Sequence, residues 1–182
     1  MRPVLALLVV AALGWGAPAR ADAPAAGKPD PLRAIFPDAD RFEAADVILT
    51  DDMARRLDEL AHSRIPERMV TFYTARRGNE VLGHGVLQSH VVRTKRETLL
   101  VAFEPDGRIR RIVVLSFLEP PEYKPSERWL GQFDGKGATD RLAVGDDLAP
   151  ISGSTLSARG VSEQARWLLQ ALRMAREAKR VP

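Results

Sequence analysis

The 182-residue chain contains no cysteine. That excludes a disulfide framework, thiol chemistry, a cysteine-ligated iron–sulfur cluster, the Cys-x-x-Cys-His attachment of haem and a cysteine-borne lipid anchor. Any redox role therefore needs a cofactor held without sulfur. An excess of one charge is missing too. Of 27 basic residues, Arg2 and Arg20 fall in the leader described below, which leaves 25 against 24 acidic ones and offers nothing for nucleic-acid binding by bulk charge. Histidines number three. His84 and His90 lie an even number of residues apart and can share one strand face, but no third ligand follows closely, so no metal is expected. A Walker loop, a dinucleotide fingerprint and a nucleophile elbow are also absent, which removes the usual hydrolase and nucleotide-enzyme readings.

Long apolar runs are limited to the first segment. Pro3 to Leu13 after Arg2 is too short to span a bilayer comfortably, and Ala19-Arg20-Ala21 has the small-x-small form of a signal-peptidase site. Residues 1–21 therefore read as a signal peptide and 22–30 as a flexible Ala/Pro/Gly leader. Residues 31–182 form one domain of an exported, periplasmic protein with no membrane span after cleavage.

Within that domain, Leu32 to Phe36 reads as a short helix or turn ended by Pro37. Thr50 caps a helix from Asp51 to about Ser63, with Met53, Leu57, Leu60 and Ala61 on one face. From Met69 the period changes to that of strands. Val70–Thr74, a long run from Val81 to Thr94, Leu99–Phe103 and Ile109–Leu118 are separated by turns at Gly78-Asn79 and Pro105-Asp106-Gly107. The last of these is the most apolar and is expected at the centre of the sheet. Prolines at 120, 121 and 125 force a loop. Ser126 caps a short helix through Phe133 in which Trp129 and Phe133, four apart, are core residues. An amphipathic helix from Ala158 or Val161 to Ala178 closes the chain. The fold class is α+β, a mainly antiparallel sheet packed by an N-terminal and a long C-terminal helix.

Just before that last helix stands Ile151-Ser152-Gly153-Ser154-Thr155-Leu156-Ser157, where hydroxyls surround one glycine. Such clusters serve as plain caps and turns, and the free N–H groups of a first helical turn also attract anions. The segment resembles the Ser-Gly-Ala-Thr-x-Thr/Ser signature of the FMN-binding domain family, which includes the G subunit of the Rnf complex and the C subunit of the sodium-pumping NADH:quinone reductase. In that family the signature threonine carries flavin in phosphoester linkage. The resemblance extends over roughly Phe36 to Leu172 and includes Phe36-Pro37, the strand beginning Asp106-Gly107-Arg108-Ile109, and Gln132-Phe133-Asp134-Gly135-Lys136.

The resemblance implies an electron-transfer flavoprotein carrying FMN on Thr155, with Ser152, Gly153, Ser154, Leu156 and Ser157 around the attachment and Glu119 against the flavin. It also implies a separate flavin transferase for loading, and membrane or periplasmic redox partners. Two positions depart from the family pattern. Ser154 replaces the signature's alanine, and Ala149 stands where many members have an acid, with Asp147 two residues earlier. From chemistry, Tyr123 is a candidate to stack on the ring and Lys124 to favour electron density at the flavin's N1 side; both also fit a solvated loop. The alternative function is a non-covalent FMN-binding or accessory module for a membrane redox complex. A stand-alone reductase is weaker, because no acid–base pair for substrate protonation can be located, and no catalytic residue is assigned.

Overall fold

The computed structural model describes residues 30–182. The signal-peptide reading of residues 1–21, and all of the leader except Asp30, fall outside the described residues. Asp30 itself belongs to the domain. Its Oδ1 accepts from Leu32 N at 3.0 Å and caps helix α1, Pro31–Ile35. The remaining elements are β1 Arg41–Ile48, α2 Asp51–Ala61, β2 Met69–Arg77, β3 Glu80–Val92, β4 Lys95–Phe103, β5 Ile109–Phe117, α3 Glu127–Leu130 and α4 Thr155–Glu177. Short 3-10 turns lie at Pro121–Tyr123 and Gly131–Phe133. The five strands form one antiparallel meander in the order β1-β2-β3-β4-β5, so the α+β expectation holds.

β1, β5 and the helix after Ser126 differ from the sequence reading. β1 went unread because Arg41-Phe42-Glu43-Ala44-Ala45-Asp46 carries little β propensity. Backbone pairing with β2 and burial of Val47 hold it, with Glu43 Oε2 2.6 Å from Arg76 Nε and Asp46 Oδ1 accepting from Thr71 Oγ1 at 2.7 Å alongside. β5 is not central but the sheet's edge. It can be so apolar because the segment after it covers it. Ile109 exchanges backbone bonds with Lys136 O and Gly135 N, both at 2.7 Å, and buried Leu130 and Phe133 join the core that includes Ile109 and Ile112. The helix after Ser126 breaks into α3 and a 3-10 turn at Gly131.

The principal core lies between one sheet face and helices α2 and α4. Phe72, Leu99, Val101, Phe103 and Ile109 meet Val161, Ala165, Leu168 and Leu172, with Trp167 fully buried. Trp167 Nε1 donates to Asp58 Oδ1 at 3.2 Å, which joins α4 to α2. On the opposite face α1 seats Phe36 beside Ala39, Ala75 and Ala102. Gly83 makes this possible. It lies at φ +147 beside a register shift in β2, and a Cβ there would stand 2.3 Å from Phe103 O and 2.7 Å from the Phe36 ring. None of the helices among the described residues is long and apolar enough to cross a membrane.

Candidate functional site

α4 begins earlier than its apolar stripe suggests, at Thr155, so the hydroxyl cluster is the helix start itself. Ser154 is the N-cap residue, yet its side chain does not cap. It is 5% exposed, and its Oγ donates to Glu122 O at 3.3 Å, which ties the helix start to the turn before α3. The first-turn N–H groups of a 23-residue helix are thus left without a side-chain cap, and no acid in the first turn offsets the positive end of its dipole. Thr155 is exposed, and its hydroxyl donates to Ile151 O at 3.2 Å. Gly153 at φ +80 turns the chain into the helix, and Ser152 is exposed beside it. Leu156 is 53% exposed while Ser157 is buried at 1%.

Two residues from elsewhere complete the site. Arg93 and Tyr123 line a cleft of about 120 Å³ together with Gly153, Ser154, Thr155, Leu156 and Ser157. The Arg93 guanidinium carbon sits 4.9 Å from the Tyr123 ring centroid, a cation–π contact. Arg93 is at the tip of the β3–β4 hairpin in the left-handed conformation, φ +47, and forms no ion pair among the described residues. Sequence reasoning missed it because its run from Val81 to Thr94 passed through the turn without a glycine, asparagine or proline to mark it. The signal available was the charged stretch Arg93-Thr94-Lys95-Arg96-Glu97 between two apolar runs.

Glu119 stands outside the cleft lining and acts on it from behind. Its Oε1 accepts from Thr94 N and Lys95 N, both at 2.8 Å, and from Thr94 Oγ1 at 3.2 Å. The Thr94 N–H does most to hold its carboxyl below the usual carboxylate range, with Lys95 N–H, the Thr94 hydroxyl and the Arg93 charge adding to it against burial. Glu119 therefore fixes the hairpin tip that carries Arg93. Lys124 is exposed and lines a different cleft, with Glu127 and residues of β5.

The approach to Thr155 is held rigid. Ala149 is gripped from both sides, its carbonyl accepting from Trp129 Nε1 at 2.7 Å and its N–H donating to Gln132 Oε1 at 2.7 Å. Trp129 and Phe133 meet edge to face at 5.4 Å inside the core, as expected of an i, i+4 aromatic pair. Asp147 is committed elsewhere: Oδ1 accepts from Ala143 N at 2.7 Å, and Oδ2 from Leu142 N and Lys136 Nζ, each at 3.1 Å.

The cleft suits a phosphate. An uncapped helix start, the Thr155 hydroxyl and the Arg93 guanidinium border one small cleft, a combination that suits an oxyanion. A flavin ring is larger than this space, and the apolar surface beside it is Leu156 and Tyr123.

The histidines serve the sheet. His90 Nε2 lies 3.1 Å from Oε2 of Glu97, its cross-strand neighbour, whose side chain is wholly buried. α4 passes so close that a Cβ on Gly160 would stand 2.9 Å from His90 Nε2. No group of three or more His, Asp or Glu is gathered for a metal among the described residues. His84 is fully buried, with Nδ1 3.1 Å from Thr74 Oγ1. Burial first, then the charges of Arg176 and Arg76, lower its pKa to about 4. The folded protein thus keeps His84 neutral while the unfolded chain protonates near its ordinary value. This contribution to stability is complete above pH 6.5 and is lost as pH falls from there toward 4, by roughly 3 kcal/mol at most. Thermal melts across that window should show the decline, and His84→Gln should flatten it.

No family model matches the chain, and no curated protein matches it.

Proposed function

We propose that this chain is an exported electron carrier that holds FMN as a phosphoester on Thr155 and relays electrons between redox partners. The observation that carries the reading is the convergence at one point of the exposed Thr155 hydroxyl, the uncapped positive end of α4 and the Arg93 guanidinium. In loading, a separate flavin transferase would break the phosphoanhydride bond of a flavin dinucleotide, so that Thr155 Oγ takes the FMN phosphoryl group and gives up its proton while the nucleoside monophosphate leaves. The first-turn N–H groups and Arg93 would hold the phosphate oxygens, with Arg93 stacked on Tyr123 and Glu119 fixing the neighbouring Thr94 and Lys95. When bound, the isoalloxazine supplies the electron-accepting and electron-donating chemistry. Covalency suits an exported carrier, because a cofactor that dissociates outside the cytoplasm is diluted away.

Coexpression with a flavin transferase tests this. The protein band should fluoresce on a denaturing gel, and Arg93→Gln should slow loading about tenfold by removing a charge-assisted bond to phosphate, with Arg93→Lys in between. Equal loading of all three would remove Arg93 from the site. The reversible FMN-binding or accessory reading draws support from Asp147. The acid nearest the signature is bound into its own loop and does not face Thr155. In that reading the yellow colour is lost on denaturation.

A further inference from the structure

The meander brings one end of every strand together. β1 ends and β2 begins there, with Ile48 paired to Met69. β3 turns into β4 there, with Val91 paired to Arg96, and the residue just past β5, Leu118, donates its N–H to Arg96 O at 3.1 Å. The start of α4 joins this end, since Leu156 lines the same cleft as Arg93 of the β3–β4 turn. Ile48, Met69, Val91, Leu118 and Leu156 are the large apolar side chains more than half exposed among the described residues, and all of them lie here. The opposite end of the sheet, with the turns at Gly78-Asn79 and Asp106-Gly107, presents none of them and instead pairs Arg77 with Glu80 and Arg108 with Asp106. Single exposed apolar side chains are ordinary, but their segregation to one end of a molecule marks a contact surface.

The same end carries unpaired positive charge. Arg93, Lys95 and Arg96 around the β3–β4 turn, Lys124 beside Tyr123 and Arg159 one turn along α4 are all exposed, and none forms an ion pair among the described residues. The acids among them are Glu119, whose Oε1 is bound to the N–H groups of Thr94 and Lys95, and exposed Glu122. On the β1 side the acids that open α2 have arginine partners, Asp51 with Arg68 at 3.6 Å and Asp52 with Arg55, and Asp46 accepts from Thr71 Oγ1. The excess of positive charge therefore lies on the side of β3, β4 and the start of α4.

The apolar tips are not gathered into a groove. They are spread from β1 to just past β5, four strand spacings or about 19 Å, with charges between them. A protein partner calls for a contiguous apolar centre inside a polar rim. Separate apolar tips among cations suit a lipid surface, where each tip enters the acyl boundary while the cations meet phosphates. We propose that this end of the molecule docks on an anionic lipid membrane, with Val91, Leu118 and Leu156 entering the interface and Lys95, Arg96 and Lys124 on headgroup phosphates. The Thr155 cleft belongs to the docked end, so a group attached there is held at the membrane surface. Docking itself needs no flavin, so the test uses unloaded protein and its outcome stands apart from the reading above.

Cosedimentation of the full chain with lipid vesicles is the test. Vesicles of equal parts phosphatidylglycerol and phosphatidylcholine should bind it about tenfold more tightly than pure phosphatidylcholine, and added salt should narrow the difference. Arg96→Gln should weaken that binding about fivefold, and a double variant, Val91→Ser with Leu118→Ser, about tenfold. These side chains are exposed, so thermal melts close to the parent's verify that the variants fold. Arg77→Gln removes the same charge from the opposite end and should leave binding unchanged. Equal affinity for the two kinds of vesicle would overturn the proposal, as would binding undiminished in both variants, which places the contact elsewhere in the chain. Lipid-independent dimerisation lost in the double variant would assign this end to a second copy instead, and binding of polyglutamate by a protein that ignores vesicles would assign it to an acidic protein; either result overturns the membrane assignment.

Discussion

Thr155→Ala is expected to abolish flavin attachment completely, while Ser152→Ala and Ser157→Ala leave it in place. The difference comes from position. Ser157 is buried at 1%, Ser154 at 5% with its hydroxyl engaged on Glu122 O, and Ser152 precedes the left-handed Gly153 outside the first helical turn. Only Thr155 joins an exposed hydroxyl to the free N–H groups of α4 and to the Arg93 cleft. The fold should hardly notice the change, because that side chain gives up one exposed hydrogen bond, to Ile151 O, worth about 1 kcal/mol. A variant that melts within a few degrees of the parent yet stays colourless separates attachment from folding. Thr155→Ser keeps the nucleophilic oxygen and should load partially. A fully loaded Thr155→Ala would assign the attachment to another residue.

The largest loss of stability is expected from Gly83→Ala. The new methyl would stand 2.3 Å from a backbone carbonyl oxygen, Phe103 O, and 2.7 Å from the Phe36 ring, with φ at +147. Backbone strain and overpacking each cost on the order of 1–3 kcal/mol, so together roughly 4 kcal/mol is expected, which is a large share of a small domain's stability. Gly78→Ala is the control. It too has positive φ, +58, but its Cβ would meet nothing within 4 Å, and roughly 1–2 kcal/mol for the left-handed backbone is all it should lose. Urea denaturation of both variants gives the comparison. A similar loss in the two would mean that Phe36 does not pack against Gly83 as described.

Much of this fold can be read locally. Thr50 caps α2 through a 3.3 Å bond to Met53 N, and Ser126 caps α3 through one of the same length to Trp129 N, as their sequence positions indicate. The turn at Gly78-Asn79 and the turn at Gly107 carry glycines at positive φ, so the hairpins around them announce themselves. What escaped depends on contacts across the chain. β1 is a strand because its backbone pairs with β2 along Arg41–Ile48 and Val47 is buried in the core, with Glu43–Arg76 and Asp46–Thr71 contacts beside the ladder. β5 is apolar because residues 130–136 cover it, which no pattern inside the strand distinguishes from a central position. α4 starts at Thr155 rather than Ala158, and that start is unmarked in the sequence because Thr155, exposed Leu156 and Ser157 do not extend the apolar stripe.

The site divides in the same way. Its hydroxyl half is contiguous and legible. Its cationic half arrives through a hairpin tip whose left-handed residue is an arginine, stabilised by Glu119 from 26 positions away. The His90–Glu97 pair is hidden for the same reason: only once the turn is placed at Arg93-Thr94 does the register set these two side by side. Glu119, which the resemblance places against the flavin, bonds to the hairpin tip at Thr94 and Lys95, while Arg93 lines the cleft.

Intact-mass measurement of the protein recovered from its native cells tests the central claim most directly. The account predicts a mass above that of the polypeptide alone by FMN less one water, with the increment mapping to the peptide that contains Thr155. An unmodified mass in cells with an active flavin transferase would contradict it.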